Sequence, residues 1–179
     1  MISEKFETIH TITAYLAIKE YLNNNSLKII ENKPVPDVLN KKRACFVTLK
    51  TDTKKLRGCI GTLRPAYKNL YIEIIRNAVA AATRDNRFEK VSLKELEKLF
   101  ITVEVLSELE KINDIGLLNP EKYGLIISDK YGNRGVLLPN IEGIDTVEKQ
   151  INIVKRKAGI SSIPEKNLTY YRFSTEKYS

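Results

Sequence analysis

Leu56-Arg57-Gly58-Cys59-Ile60-Gly61 sets a thiol between two glycines and beside an arginine, in the most basic part of the sequence. In a strand, alternate residues share a face, so Arg57, Cys59 and Gly61 are expected on one side and Leu56, Gly58 and Ile60 on the other. On that pattern the thiol and the guanidinium are neighbours. Glycine inside a strand costs packing and backbone entropy, and it marks a bulge or a place where a ligand or another chain approaches the backbone closely. The segment therefore suggests a site while leaving the reaction open.

Working outward, Ala44-Cys45-Phe46-Val47-Thr48-Leu49 is rich in β-formers, and Asp52-Thr53-Lys54-Lys55 supplies the turn between it and the glycine-cysteine strand. This predicts a hairpin that carries both cysteines of the chain. Arg64-Pro65 closes the hairpin and leads into a helix over 68–83, whose inner face is Leu70, Ile74, Ala78 and Ala81 with Ile75 and Ala82 beside it. The alanines leave room for close packing. Next comes Arg84-Asp85-Asn86-Arg87-Phe88, a charged turn in which two arginines flank an aspartate. Such a turn either binds an anion or is held by its own Asp85, with Phe88 plugging the core.

The charge is distributed unevenly. Between Lys41 and Lys68 lie nine bases against the single acid Asp52, while the rest of the chain balances at 21 of each, so the whole net charge of +8 surrounds the cysteine segment. An anion-attracting surface looks like this, and so does a lysine-decorated hairpin protected from edge pairing.

The remaining elements are read from periodicity and caps. A helix over 3–22 carries Phe6, Ile9, Ala14, Leu16, Ile18 and Leu22 and ends at Asn23-Asn24-Asn25. His10, the one histidine, lies in its first half and reads as a surface or boundary residue. Pro34 and Pro36 mark an extended connection. Ser92 caps a short helix ending near Leu99, and 100–107 reads as a central strand with Ile101, Val103 and Val105 on one face and Thr102 and Glu104 on the other. Glu104 is a candidate general base. A second hairpin joins 123–128 to 135–138, a helix over 146–158 stops at Gly159, and 168–173 returns to a sheet. Helices and hairpins alternate without a regular βα period, so an α+β fold with a largely antiparallel sheet and covering helices is expected, as one domain over 1–179.

Composition excludes several function classes. An apolar fraction of 42% with 29% charged residues is that of a globular protein, and no apolar run approaches a membrane span. The amino terminus has an acid where a signal peptide carries net positive charge, so a cytoplasmic protein is expected. Two cysteines and one histidine are too few for an ordinary zinc or iron-sulfur site, and no phosphate loop or Gly-x-Ser-x-Gly elbow is present. No metal and no cofactor are expected. A disulfide between Cys45 and Cys59 requires their strands to pair and a setting other than the cytosol.

Ala44-Cys45-Phe46-Val47-Thr48, Leu56-Arg57-Gly58-Cys59-Ile60-Gly61-Thr62, Arg84-Asp85-Asn86-Arg87-Phe88 and Ile101-Thr102-Val103-Glu104-Val105-Leu106-Ser107 follow one another in the order seen in one known family. Tyr123-Gly124-Leu125, Val136-Leu137-Leu138-Pro139, Lys157-Ala158-Gly159 and Tyr171-Arg172-Phe173 extend the match over nearly the whole chain. The sequence resembles the AMMECR-one domain family. That resemblance implies an α+β fold with a larger and a smaller lobe. It also implies a component of the AmmeMemoRadiSam system, found alongside a Memo-like protein and a radical SAM protein, with no settled reaction. Carried onto this chain, the resemblance implies a cleft lined by Arg57, Gly58, Cys59 and Gly61, with Arg84, Asp85, Arg87 and Phe88 as its second side. Asn86 stands where the family commonly has proline, and Glu104 where it commonly has a small polar residue, which argues against Glu104 as a shared catalyst.

Three uses of this surface follow. Cys59 acts as a nucleophile or modification acceptor if neighbouring positive charge lowers its pKa, though no histidine lies nearby in sequence to assist it. The basic hairpin over 41–68 binds nucleic acid or serves regulation, with only Phe46 and Tyr67 available for base stacking. Or the chain is a partner in a multi-protein assembly whose Cys59 surface holds a small anionic ligand or a peptide tail. A combination of the first and third is the expected function.

Overall fold

The computed structural model describes residues 6–179 and divides the chain into two compact units, one of residues up to Leu106 with Glu176–Ser179 and one of Ser107–Thr175. The predicted first helix begins at Ser3, and its residues 3–5 lie outside the described residues.

The first unit is a four-stranded sheet with helices on one face. In chain order its elements are α1 (Ile9–Asn24), α2 (Lys28–Glu31), β1 (Cys45–Lys50), β2 (Leu56–Gly61), α3 (Leu70–Thr83), α4 (Leu93–Leu96) and β3 (Phe100–Leu106). The second unit carries β4 (Glu110–Ile112), β5 (Gly124–Ser128), β6 (Arg134–Leu137), α5 (Val147–Lys157) and β7 (Thr169–Phe173), and β8 (Thr175–Tyr178) returns to the first unit's sheet. Strand order is β2-β1-β3-β8 in one sheet and β4-β7-β5-β6 in the other. The β1 pairings with β2 and β3, and the pairings within the second sheet, are antiparallel. This is the α+β architecture expected, with two sheets instead of one.

Alternation along β1 fixes the two faces of the first sheet. Cys45, Val47 and Leu49 are fully buried, and their partners Val105, Val103 and Ile101 on β3 are buried with them. These residues meet Leu70, Ile74, Ile75, Ala78, Ala81 and Ala82 of α3 and Ala14, Ala17 and Ile18 of α1 in one core. The inner face predicted for α3 is the one observed. Burial of these aliphatic side chains, worth about 1.5–3 kcal/mol each for the larger ones, is what holds helices to sheet. The opposite face carries Phe46, Thr48 and Lys50 of β1, Cys59 and Gly61 of β2, and Phe100, Thr102 and Glu104 of β3.

The helix boundaries have local causes. Thr8 caps α1, its Oγ1 accepting from the Thr11 N–H at 3.3 Å, and Asn25 ends it in the left-handed region at φ 50°. Ser92 and Glu95 form a reciprocal capping box on α4, which is a single turn and shorter than the helix predicted up to Leu99. Gly159 follows α5 at φ 69°, as a helix-stopping glycine should.

His10 differs from its expected surface position. It is 4% exposed, stacked on Tyr178 of β8 with ring centroids 3.6 Å apart, and its buried Nδ1 has no hydrogen-bond partner among the described residues. Burial holds its pKa below the ordinary imidazole value, with Glu176 opposing that shift and Arg43 adding to it. Arg43 binds the Leu106 carbonyl through Nε and Nη2 at 3.0 and 2.8 Å and the Glu176 carboxylate through Nη1 at 2.7 Å. One side chain thus grips the chain where it leaves the first unit and where it returns.

Candidate functional site

The glycine-cysteine strand sits at the edge of its sheet, paired among the described residues with β1 alone. Thr48 faces Cys59, Phe46 faces Gly61 and Leu49 faces Gly58, but Lys50 faces Leu56, so Arg57 is the extra residue of a bulge. The glycines answer to packing. A Cβ on Gly58 would overlap the main-chain carbonyl of Ala81, where α3 crosses the strand, and a Cβ on Gly61 would run into the Phe46 ring and the Cys45 carbonyl. Helix α3 approaches β2 this closely because small residues face each other, Gly58 below and Ala81 above.

The bulge corrects the expected pairing of Arg57 with Cys59. Arg57 turns instead to Glu95 at the start of α4, donating from Nε at 2.5 Å and Nη2 at 3.1 Å, and its guanidinium lies 5.8 Å from the centroid of Phe88. Its charge is spent on that carboxylate, and it is not among the charges that act on the thiol.

The two motif segments are joined through Asp85. Its carboxylate, 3% exposed, accepts the Cys59 backbone N–H at 2.9 Å. The same group accepts from the Arg87 backbone N–H at 3.2 Å and from Arg87 Nε and Nη2 at 2.9 and 2.7 Å. These donors hold the Asp85 carboxyl far below the usual carboxylate range, the Arg87 guanidinium contributing most. The loop is thus fixed by its own aspartate, one of the two arrangements expected, and that aspartate also pins the cysteine strand. Phe88 is not the core plug considered for it: it is half-buried, with the guanidinium of Arg87 5.4 Å from its ring centroid. Arg84 and Arg87 are exposed, and Arg84 makes no ion pair among the described residues.

Cys59 is half-buried on the outer face and free. Thr48 Oγ1 donates to its Sγ at 3.3 Å. Burial pushes the thiol pKa up, against the lowering influence of Thr48 and Arg87, while Glu104 and Asp85 push it further up. The expectation of a lowered pKa is therefore reversed: the low-dielectric surroundings and two carboxylates outweigh the arginine. Glu104 lies on this same outer face, and burial raises its pKa too, against Lys177 and Lys50. At neutral pH the thiol is protonated, and among the described residues Arg87 is the one arginine whose charge acts on it, an arrangement that does not suit unaided attack. Cys45 faces the core, its thiol pushed up to about 12 by burial, so the two cysteines point to opposite faces and form no disulfide.

Two features escape a reading of the sequence. Glu73, in the first turn of α3, is fully buried and accepts from Thr62 Oγ1 and from the Ala66 and Tyr67 N–H groups at 2.9 and 3.0 Å, fixing the chain that leaves β2. An acid in the first turn of the helix that follows the Arg64-Pro65 corner was the available signal. In the second unit a cavity of about 510 Å³ lies between 111–115 and 165–170, lined in part by Lys111, Asp114, Glu165 and Tyr170, and no motif announces it. Among the described residues no three or more histidine, cysteine or acidic side chains gather as a metal site would require, and no helix is long and apolar enough to cross a membrane.

Comparison with known proteins gives the same order of motifs a family. A protein of Thermotoga maritima is 49% identical over 153 residues, covering 84% of this chain and 87% of its own. A Clostridium acetobutylicum protein is 37% identical over 170 residues, which is 94% of this chain but 34% of that longer protein. The crystal structure of an uncharacterised protein from Pyrococcus horikoshii superposes with a TM-score of 0.82 at 29% identity, over 94% of this chain and 88% of that one. The AMMECR1 family model matches residues 11–178, and the chain belongs to the AMMECR1 family.

Proposed function

We propose that this protein is a component of a modification system that includes a Memo-like protein and a radical SAM protein, with the Cys59 strand and the Arg84–Phe88 loop as its working surface. The partners are those the family resemblance implies. The observation that carries the choice of surface is the Asp85 carboxylate, which binds the Cys59 N–H and Arg87 together and so makes one preorganised site of two separate sequence motifs. A thiol whose pKa is raised, with no histidine beside it, favours a partner-dependent role over a free-standing nucleophile. In this reading the exposed Arg84 and Arg87 draw the partner or its anionic group, and Cys59 is engaged only once that partner is seated.

The test is co-purification of the chain with the Memo-like and radical SAM proteins encoded in the same genome. The reading expects a complex that the Arg84→Glu/Arg87→Glu pair of substitutions disrupts and that Lys54→Glu/Lys55→Glu, on the exposed hairpin turn, leaves intact. A complex indifferent to both pairs, or no complex at all, overturns it.

A further inference from the structure

We propose that the open edge of β2 at Cys59–Gly61 is a docking strip for an extended acidic peptide segment of a partner protein, which adds to the sheet as a further strand. The inference rests on the reading that the Cys59 surface is where a partner engages, and it names what the partner presents there.

The main-chain phase of β2 follows from its pairing. Val47 faces Ile60, and the Thr62 N–H donates to the Cys45 carbonyl at 3.1 Å, so Gly58, Ile60 and Thr62 direct their backbone groups toward β1. Cys59 and Gly61 direct theirs away from the sheet. The Cys59 N–H is taken by Asp85 at 2.9 Å, which confirms the phase. The Cys59 carbonyl and the Gly61 N–H and carbonyl make no hydrogen bond among the described residues. Both residues are half-buried and lie on the edge strand, so the phase directs these three groups away from β1, where no further strand is paired among the described residues.

A carbonyl at one residue and an N–H two residues on is the spacing that a single residue of a parallel strand satisfies with its own N–H and C=O. Asp85 takes the Cys59 N–H, which closes the edge on that side and keeps the strip short. The charge around the strip selects the sequence of that strand. Arg64, three residues past Gly61, and Arg84, next to the Asp85 that binds the Cys59 N–H, are exposed and make no ion pair among the described residues, so acidic side chains are favoured and basic ones repelled. A strand in this position runs alongside Cys59.

The experiment follows the Gly61 amide by nitrogen-15 NMR while acetyl-(Thr-Glu)4-amide is added to the intact protein. Acetyl-(Thr-Lys)4-amide tests the sign of the charge, and acetyl-Glu-amide at matched carboxylate concentration tests charge without a strand. The expected result is a saturable shift of the Gly61 amide with a dissociation constant of about 1 mM or tighter, slowed hydrogen exchange at that amide, and no such response to either control. A Gly61 amide unmoved by the glutamate peptide, or moved equally by a control, overturns the proposal. The outcome separates cleanly from that of co-purification. A complex with a silent Gly61 amide removes the docking strip alone, and a responsive Gly61 amide without a complex removes the assembly reading alone.

Discussion

Asp85 accepts the backbone N–H of Cys59 at 2.9 Å while its other bonds hold the guanidinium of Arg87. A carboxylate buried to this degree is stable only because every donor around it is in place, and removing it leaves a backbone N–H and an arginine without their acceptor. Asp85→Asn keeps the volume and loses the charge. It should lower stability by about 2–3 kcal/mol in urea titration, with an unchanged dependence on denaturant.

The same residue sets an acid limit. Its folded pKa lies below the unfolded value of about 3.9, so its contribution is fully present above that pH and is lost as pH falls toward the lower folded value. Wild type should lose stability relative to Asp85→Asn as pH drops below about 4; parallel curves for the two proteins would show that Asp85 is not linked to folding.

His10 acts in a different window and with the opposite chemistry. Buried as a neutral ring, it titrates lower in the folded state than the ordinary value of about 6.5. The unfolded chain therefore takes up the proton first, stability is fully present above about pH 6.5, and it declines below that by up to about 1.4 kcal/mol per pH unit until the folded pKa is passed. His10→Phe keeps a ring against Tyr178 and should flatten that decline, as read by melting temperature between pH 7 and 5.

The two glycines of the motif should respond differently to a methyl group. In Gly58→Ala the obstruction is the main chain of α3, which has nowhere to go, and a loss of about 1–3 kcal/mol is expected with no simple rescue. In Gly61→Ala the first obstruction is the Phe46 ring, so Phe46→Ala in the same chain should recover part of the loss. Equal costs and no rescue at Gly61 would mean that the Cys45 carbonyl dominates there.

The parts of this arrangement that were legible are those in which side-chain period and burial agree. The β1–β2 hairpin, the apolar stripe of α3 and the alternation of Ile101, Val103 and Val105 could each be read directly, because a core-facing pattern repeats with the element's own period. The bulge at Arg57 could not. Strict alternation put Arg57 beside Cys59, and one extra residue sends it to Glu95, 38 positions away in sequence. Strand β8, Thr175-Glu176-Lys177-Tyr178, shows no apolar run because it is an edge strand with only its two end residues half-buried, Tyr178 among them against His10. Glu73 and Asp85 look like surface acids, since what buries them is backbone N–H groups that composition does not reveal.

Alkylation separates the charges at the thiol. Cys45 is fully buried and should stay silent, so Cys59 reports alone in the wild-type protein. Its half-point should lie above the free-thiol value of about 8.5. Arg87→Ala should raise it further and Arg57→Ala should leave it where it is, the reverse of what adjacency in sequence suggests.

The most direct measurement is alkylation of Cys59 in the presence and absence of the Memo-like and radical SAM proteins, at a pH near the half-point. Adding both partners should slow labelling of Cys59 at least several-fold, and in Arg84→Glu/Arg87→Glu the partners should no longer change that variant's own rate. Labelling unaffected by the partners, in a mixture where a complex is seen to form, would contradict it, because the assembly would then be using some other surface.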